Sequence, residues 1–303
     1  VLDAVVAQNT DWPFEVIVID SGSRDGTVEM ARANARVRVL TIPPEEFGHG
    51  RTRNFAIGQA SGEFVAMITH DALPASQGWL AALVAAASQQ DDIAGAFGRH
   101  LAYPDADPFT ARDLKRHFEG FDAAAPIQRM DDRDRYSRDQ GYRQFLHFFS
   151  DNNACLRRSV WERIPYPDVD FAEDQIWAKT IIEAGYAKAY APAAAVYHSH
   201  SYNVIETARR AYDEAAAFQR LFGYNLGPSA SHAVRQTINC TLHDVGWSLR
   251  QPRWWRLTGW MARAPFANVA RQGGYYLGGR HARIPGWLRA WMSRDGRLKN
   301  QRA

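Results

Sequence analysis

FEVIVIDSGSRDGT, residues 14–27, runs from an almost unbroken apolar segment, Val16 to Ile19, into a polar turn that contains two glycines. An apolar run of this length, bounded by turn residues, marks a strand covered on both faces, as in a parallel sheet between helices. The residues that follow repeat the theme. TVEMARANAR (27–36) has helical periodicity, VRVLTI (37–42) is a second short strand, RTRNFAIGQA (51–60) a helix and EFVAMIT (63–69) a third strand. Strand and helix alternating at this spacing predict an α/β domain with right-handed crossovers.

Further along, WLAALVAAASQ (79–89) is helical, extended character resumes near residues 93–103, and QIWAKTIIEA (175–184) is an amphipathic helix stopped by Gly185, with the strand YAKAYAP behind it. Between 104 and 150 the pattern breaks into polar and aromatic stretches, and the charge run MDDRDRYSRDQ (130–140) is expected as solvated loop. Two parts are expected: an α/β domain over 1–205 and a helical region rich in tryptophan and arginine over 206–303. The tail carries Trp247, Trp254, Trp255, Trp260, Trp287 and Trp291. The opening VLDAVVAQNT reads as the middle of a helix, so an apolar strand is expected before Val1.

With 303 residues, 46% hydrophobic and 23% charged, the chain reads as globular rather than disordered. A net charge of +3 is no nucleic-acid footprint. Cys155 and Cys240 lack metal spacing and fit a reducing, cytoplasmic compartment. No eighteen-residue apolar run marks a spanning helix. After its first strand the chain offers SGSRDGT where a dinucleotide fold wants GxGxxG, which sets a nicotinamide oxidoreductase aside.

In an open parallel sheet, ligands gather outside the carboxyl ends of the strands. Three polar clusters fall there: Asp20 with Ser21 and Ser23, Thr69 with His70 and Asp71, and Glu173 with Asp174. Asp71 either caps a helix or opens the turn before Pro74, or it holds a hard divalent cation on a diphosphate. His198 and His200, at i and i+2 in VYHSH, offer ring nitrogens to the same site or are an ordinary buried and exposed pair. Asp174 either caps the helix that follows it or accepts a proton from an attacking alcohol.

Taken in order, VIVIDSGSRDGT, GHGRTRNFAIGQASGEF, ITHDA, SDNNACLRR and FAEDQIWAKTIIEAGYAKAYAPAAAVYHSH resemble the inverting nucleotide-sugar glycosyltransferases of family 2, and within them the rhamnosyltransferase-like group. The resemblance covers about residues 1–200. It implies the GT-A nucleotide-diphospho-sugar transferase fold, a mainly parallel sheet flanked by helices. It also implies transfer of L-rhamnose from dTDP-L-rhamnose, with Mg2+ or Mn2+, to a hydroxyl of a cell-surface glycan or lipid-linked acceptor.

Residue by residue, the resemblance gives Asp20, with Ser23 in its turn, to the nucleotide base, and Arg53 and Asn54 to an Arg-Asn pair beside the nucleotide. Thr69-His70-Asp71 takes the place of the DxD motif, with Thr69 where the first acid stands, so that Asp71 holds the metal and His198 completes its site. Asp174 is the base of the ED motif. Asn152, Asn153, Glu173, Trp177 and His200 are implied near the donor or acceptor cleft. The Trp/Arg-rich tail fits peripheral contact at the inner face of a bacterial membrane, or plain helix packing. Two other classes stay open: an inactive nucleotide-sugar or glycan-binding protein, which Thr69 would fit, and a nucleotidyltransferase, which leaves the ED segment unexplained.

Overall fold

The apolar run near the start of the chain folds as its pattern requires. After a short helix, α1 (Leu2–Val6), strand β1 (Val16–Asp20) pairs in parallel with β2 (Val37–Thr41) across helix α2 (Thr27–Arg32). Helix α3 (His49–Gln59), strands β3 (Phe64–Ile68) and β4 (Leu73–Pro74), helix α4 (Trp79–Ala87) and strand β5 (Ile93–Leu101) follow. Then come α5 (Pro108–Asp122), β6 (Ile127–Gln128), α6 (Arg133–Arg138), α7 (Gln140–His147), β7 (Asn153–Arg157), α8 (Arg158–Trp161), α9 (Glu173–Glu183) and β8 (Ala187–Tyr197). These elements make up the first of two units, Val1–Ser199. The computed structural model describes residues 1–169 and 171–293.

The main sheet has the order β3-β7-β5-β8-β4, with β6 also against β8, and β1 with β2 forms a separate two-stranded sheet. Within the main sheet β5 and β8 are parallel, whereas β3–β7, β5–β7, β4–β8 and β6–β8 are antiparallel. The sheet is therefore mixed, which corrects the expectation of a mainly parallel one. The reason is the path of the chain: β7 enters from the end at which β3 and β5 leave, and must run against both.

Successive side chains of a strand face opposite sides of the sheet. In β7, Ala154 and Leu156 join Phe97, Phe118, Phe149, Trp177 and Ile181 on one face. Cys155 joins Trp79, Leu83, Ile93, Ala96 and Val196 on the other. Residues 104–150 are more regular than their composition reads. Asp107 accepts from the backbone N–H of Phe109 at 2.8 Å and starts α5, which buries Phe109, Phe118 and Phe121. The charge run is not loop either. Asp132 caps α6 through the N–H of Arg135 at 2.8 Å, and Asp139 caps α7 through that of Tyr142 at 3.1 Å. Two of the four acids that read as solvent-loving charge are the caps.

The second unit, His200–Ala303, is helical over its described residues: α10 (Val204–Phe222), α11 (Ala230–Leu249), α12 (Thr258–Gly278) and α13 (Gly286–Met292). A capping box of Asn203 and Glu206 starts α10, and Gly223, at φ 70°, ends it. α12 lies close on α10, because a Cβ at Gly274 would meet the Ala208 carbonyl at 2.4 Å and one at Gly278 that of Tyr212 at 2.3 Å. On its other flank Asn268 donates to Asp244 of α11 at 2.8 Å. No helix among the described residues is long and apolar enough to cross a membrane.

Candidate active site

Strand register brings three segments to one end of the main sheet. Ile68, the last residue of β3, pairs with Asn153, the first of β7, and Leu73 of β4 pairs with Tyr197, the last of β8. The turn 69–71, the segment 150–152 and His198 therefore meet there. Asp71 Oδ1 accepts from the Thr69 hydroxyl at 2.6 Å, and Oδ2 lies 3.5 Å from His198 Nε2. The Tyr103 hydroxyl donates to the Asp71 backbone carbonyl at 3.2 Å. His198 beside it, and then the Thr69 hydroxyl, hold the Asp71 carboxyl well below the usual range against the opposing effect of burial. Asn152 approaches the same imidazole, its amide nitrogen 3.1 Å from Nε2. An ionised carboxylate and an imidazole at this separation form a donor set that fits Mn2+, and through the oxygen Mg2+.

One residue before Asn152 the surroundings change. Asp151 is 1% exposed, and its Oδ2 lies 3.1 Å from Arg53 Nε. Its Oδ1 accepts from the Tyr166 hydroxyl at 2.8 Å. The other end of the Arg53 guanidinium bonds Glu173. Asp174 Oδ1 accepts from the N–H of Gln175 at 2.7 Å, and Oδ2 from the backbone N–H of Asp151 at 3.4 Å. Three carboxyls thus face one guanidinium, and full ionisation would leave two uncompensated negative charges in a cluster whose Asp151 and Glu173 are buried and whose Asp174 is partly exposed. Burial raises the pKa of Asp151 and Glu173, and raises that of Asp174 most, where the charges of Asp151 and Glu173 add to it.

Local backbone geometry builds this cluster. Ala172, at φ 55°, is the one non-glycine residue with positive φ among the described residues, and it stands directly before Glu173 and Asp174. Such a conformation costs an L-residue roughly 1–2 kcal/mol and collects at functional sites. On the facing side, a Cβ at Gly50 would lie 2.1 Å from the Pro167 carbonyl, so only glycine lets the first turn of α3 come this close.

The other expected residues divide. Asp20 accepts from the N–H of Gly22 at 2.9 Å and of Ser23 at 3.1 Å, in the turn that follows β1. His70 is exposed in the turn with Asp71, and His200 is exposed as the first residue of the second unit. Asn54 has its amide taken up by the 161–166 loop: Oδ1 accepts from Trp161 Nε1 and the Tyr166 N–H, and Nδ2 donates to the Tyr166 carbonyl. Two expected cleft residues are core instead. Asn153 is fully buried, accepting from Trp79 Nε1 and donating to the carbonyls of Arg99 and Ala194 where β5 and β8 slip register. Trp177 is fully buried between Phe149 and Tyr166, its N–H on the Ile164 carbonyl. Asp151 and Tyr166 went unread. The only signal was an acid just before the strand in SDNNACLRR.

This architecture is the GT-A fold of nucleotide-diphospho-sugar transferases. It resembles, with a TM-score of 0.52 and 19% identity over 89% of this chain and 81% of the other, the mannosyltransferase PcManGT from Pyrobaculum calidifontis in complex with GDP-Man and Mn2+. The model of glycosyl transferase family 2 matches residues 1–164, and the chain belongs to that family. It is 31% identical over 297 residues to the O-antigen chain rhamnosyltransferase RfbN of Salmonella typhimurium, covering 94% of this chain and 86% of that protein. It is 29% identical over 287 residues to the O-antigen chain rhamnosyltransferase WbaN of Salmonella anatum, covering 92% and 84%.

Proposed function

We propose that the protein is an inverting, metal-dependent glycosyltransferase that moves L-rhamnose from dTDP-L-rhamnose to a hydroxyl of a cell-surface glycan or lipid-linked saccharide. One observation carries the reading: Asp151 and Asn152 are neighbours in the chain, yet the first belongs to the acid cluster around Asp174 and the second to the Asp71–His198 pair. Consecutive Cα atoms are about 3.8 Å apart, so this one peptide link supports the reading of Asp174 as proton acceptor and of Asp71 with His198 as a neighbouring cation site. Two relatives that bear the name rhamnosyltransferase support the choice of sugar.

In this reading Asp174 takes the proton of the acceptor hydroxyl as that oxygen attacks the anomeric carbon opposite the leaving diphosphate, and the configuration inverts. Asp71 and His198 hold Mg2+ or Mn2+. The bound ion supplies positive charge to the departing diphosphate. Asp20 and Ser23 receive the nucleotide base. Asn152 keeps the His198 ring in place, and Thr69 fixes the rotamer of Asp71.

The membrane reading gains a surface. On α11, Val234, Ile238, Leu242 and Leu249 are exposed at intervals of four, four and seven, a single helical face. Trp254, Trp255, Trp287 and Trp291 are exposed as well, where inward packing would have hidden them. Residues 230–293 carry nine arginines against one acidic residue, which complements an anionic bilayer. The enzyme thus sits at the inner face of the cytoplasmic membrane, where a lipid-linked acceptor is presented.

The experiment is turnover. The protein is incubated with Mn2+ or Mg2+ and a panel of nucleoside diphosphate sugars, with and without bacterial lipid-linked glycans, and release of nucleoside diphosphate is followed. Release that requires dTDP-L-rhamnose and an acceptor, and disappears in Asp174→Asn, is expected. Release from another donor sinks the choice of rhamnose, and donor binding without turnover across the panel marks an inactive binding protein.

A further inference from the structure

We propose that Asp151 is a positioning residue for Asp174: its backbone N–H fixes the base's carboxylate, and its own carboxylate, locked by Arg53 and Tyr166, sets the strength of that base. The inference rests on the reading of Asp174 as the proton acceptor.

The geometry is specific. Asp151 is hidden from solvent, which sets it behind the partly exposed Asp174. Its two oxygens are divided, Oδ1 on the Tyr166 hydroxyl at 2.8 Å and Oδ2 on Arg53 Nε at 3.1 Å. Its main chain does the aiming, through the N–H on Asp174 Oδ2 at 3.4 Å. Among the described residues, the charged and titratable groups that act on Asp174 include Arg53 from α3, Asp151 and Tyr166 from the loops, and Glu173 on its own helix. Arg53 is shared with Glu173 and neutralises one charge only, so part of the negative charge of the cluster is left to act on Asp174. Two neighbouring carboxylates disfavour ionisation of the third, which makes Asp174 the better acceptor of an alcohol proton. Tyr166 is itself held by Asn54, so the chain of support runs from α3 through the 161–166 loop to the base.

The signs are definite. Asp174 acts when ionised, and burial followed by the Asp151 and Glu173 charges holds its pKa above the ordinary carboxylate range. The rate therefore rises with pH through that raised value. Removing the Asp151 charge lowers the value, moves the acid limb to lower pH and weakens the base at the plateau.

The test is the pH profile of dTDP release from dTDP-L-rhamnose with Mn2+ and a bacterial lipid-linked glycan extract, for wild type, Asp151→Asn, Asp151→Glu, Tyr166→Phe and Asp174→Asn. Asp151→Asn is expected to move the acid limb down by about one pH unit and to lower plateau kcat about tenfold, with donor KM nearly unchanged. Asp151→Glu restores part of the limb. Tyr166→Phe removes the hydrogen bond that favours ionised Asp151, so Asp151 takes up a proton more readily and the limb moves in the same direction by less; this variant covers the case in which Asp151→Asn does not fold. An inactive Asp174→Asn with Asp151 and Tyr166 variants that titrate like wild type overturns the proposal alone. Persistent turnover in Asp174→Asn overturns the base assignment and the proposal with it.

Discussion

Asp71 and His198 come from distant parts of the first unit and meet 3.5 Å apart, Oδ2 against Nε2, because β4 pairs Leu73 with Tyr197. Thr69, where the related motif has an acid, is engaged with the same carboxylate at 2.6 Å. The turn thus keeps one strong oxygen donor, oriented and ionised, rather than two. Asp71→Asn is expected to lower Mn2+-dependent turnover at least about 100-fold, and Thr69→Val to weaken Mn2+ affinity about tenfold with the fold intact. Metal titration by calorimetry, in parallel with turnover, checks both.

Gly50 is a packing prediction. A methyl group there has the Pro167 carbonyl 2.1 Å away, so α3 must retreat from the loop and draw Arg53 out of the acid cluster. Gly50→Ala is expected to cost about 1–3 kcal/mol in urea unfolding and to reduce turnover further than the stability loss explains. Equal stability to wild type would show that the close approach is dispensable.

His147 is expected to contribute to an acid limb of stability. It is buried, its ring bonds the Tyr136 hydroxyl at 2.8 Å, and burial pushes its pKa down to about 3. Below about pH 6.5 the unfolded chain binds a proton that folded His147 refuses until about 3. Stability is therefore lost as pH falls across that window, by up to about 1.4 kcal/mol per unit from this group. His147→Gln is expected to flatten the dependence of Tm on pH between 6.5 and 4.5. An unchanged slope would assign the limb elsewhere.

The exposed face of α11 gives the membrane prediction. Burying one large apolar side chain contributes about 1.5–3 kcal/mol, so Ile238→Asp and Leu242→Asp are each expected to weaken binding to phosphatidylglycerol vesicles at least about tenfold. Both residues are more than half exposed, 53% and 67%, so folding is expected to be unaffected. Binding to phosphatidylcholine alone is expected to be weak. If the same substitutions leave vesicle binding unchanged but dissolve a dimer in light scattering, the face belongs to a second copy of this chain.

The site was partly legible in advance because its residues stand at punctuation marks. Asp20 ends a strand, His198 directly follows one, Asp71 stands in the turn after another and Asp174 is in the first turn of a helix, so the alternation of elements alone sends them toward loops where chemistry gathers. Asp151 has no such mark. It is one polar residue among Ser150, Asn152 and Asn153, and only strand pairing decides that Asn153 faces Trp79 in the core, that Asn152 reaches His198 and that Asp151 meets Arg53.

The same division holds for the fold. Apolar run lengths, the helical periods and the stop at Gly185 are local, since they depend on φ/ψ preferences and on which side of an element must leave water; they determined many elements of the first unit and, for the second, its helical character. The caps Asp107, Asp132 and Asp139 are local too, but in a stretch without apolar period their carboxylates read as surface charge. Strand direction was decided only by tertiary structure, because nothing within β7 states whether its neighbours run with it or against it. The proton balance of the acid cluster was decided there as well. A carboxyl's affinity for its proton depends on the charges and the burial around it, and Arg53, Asp151, Glu173 and Asp174 become neighbours only when the chain has closed.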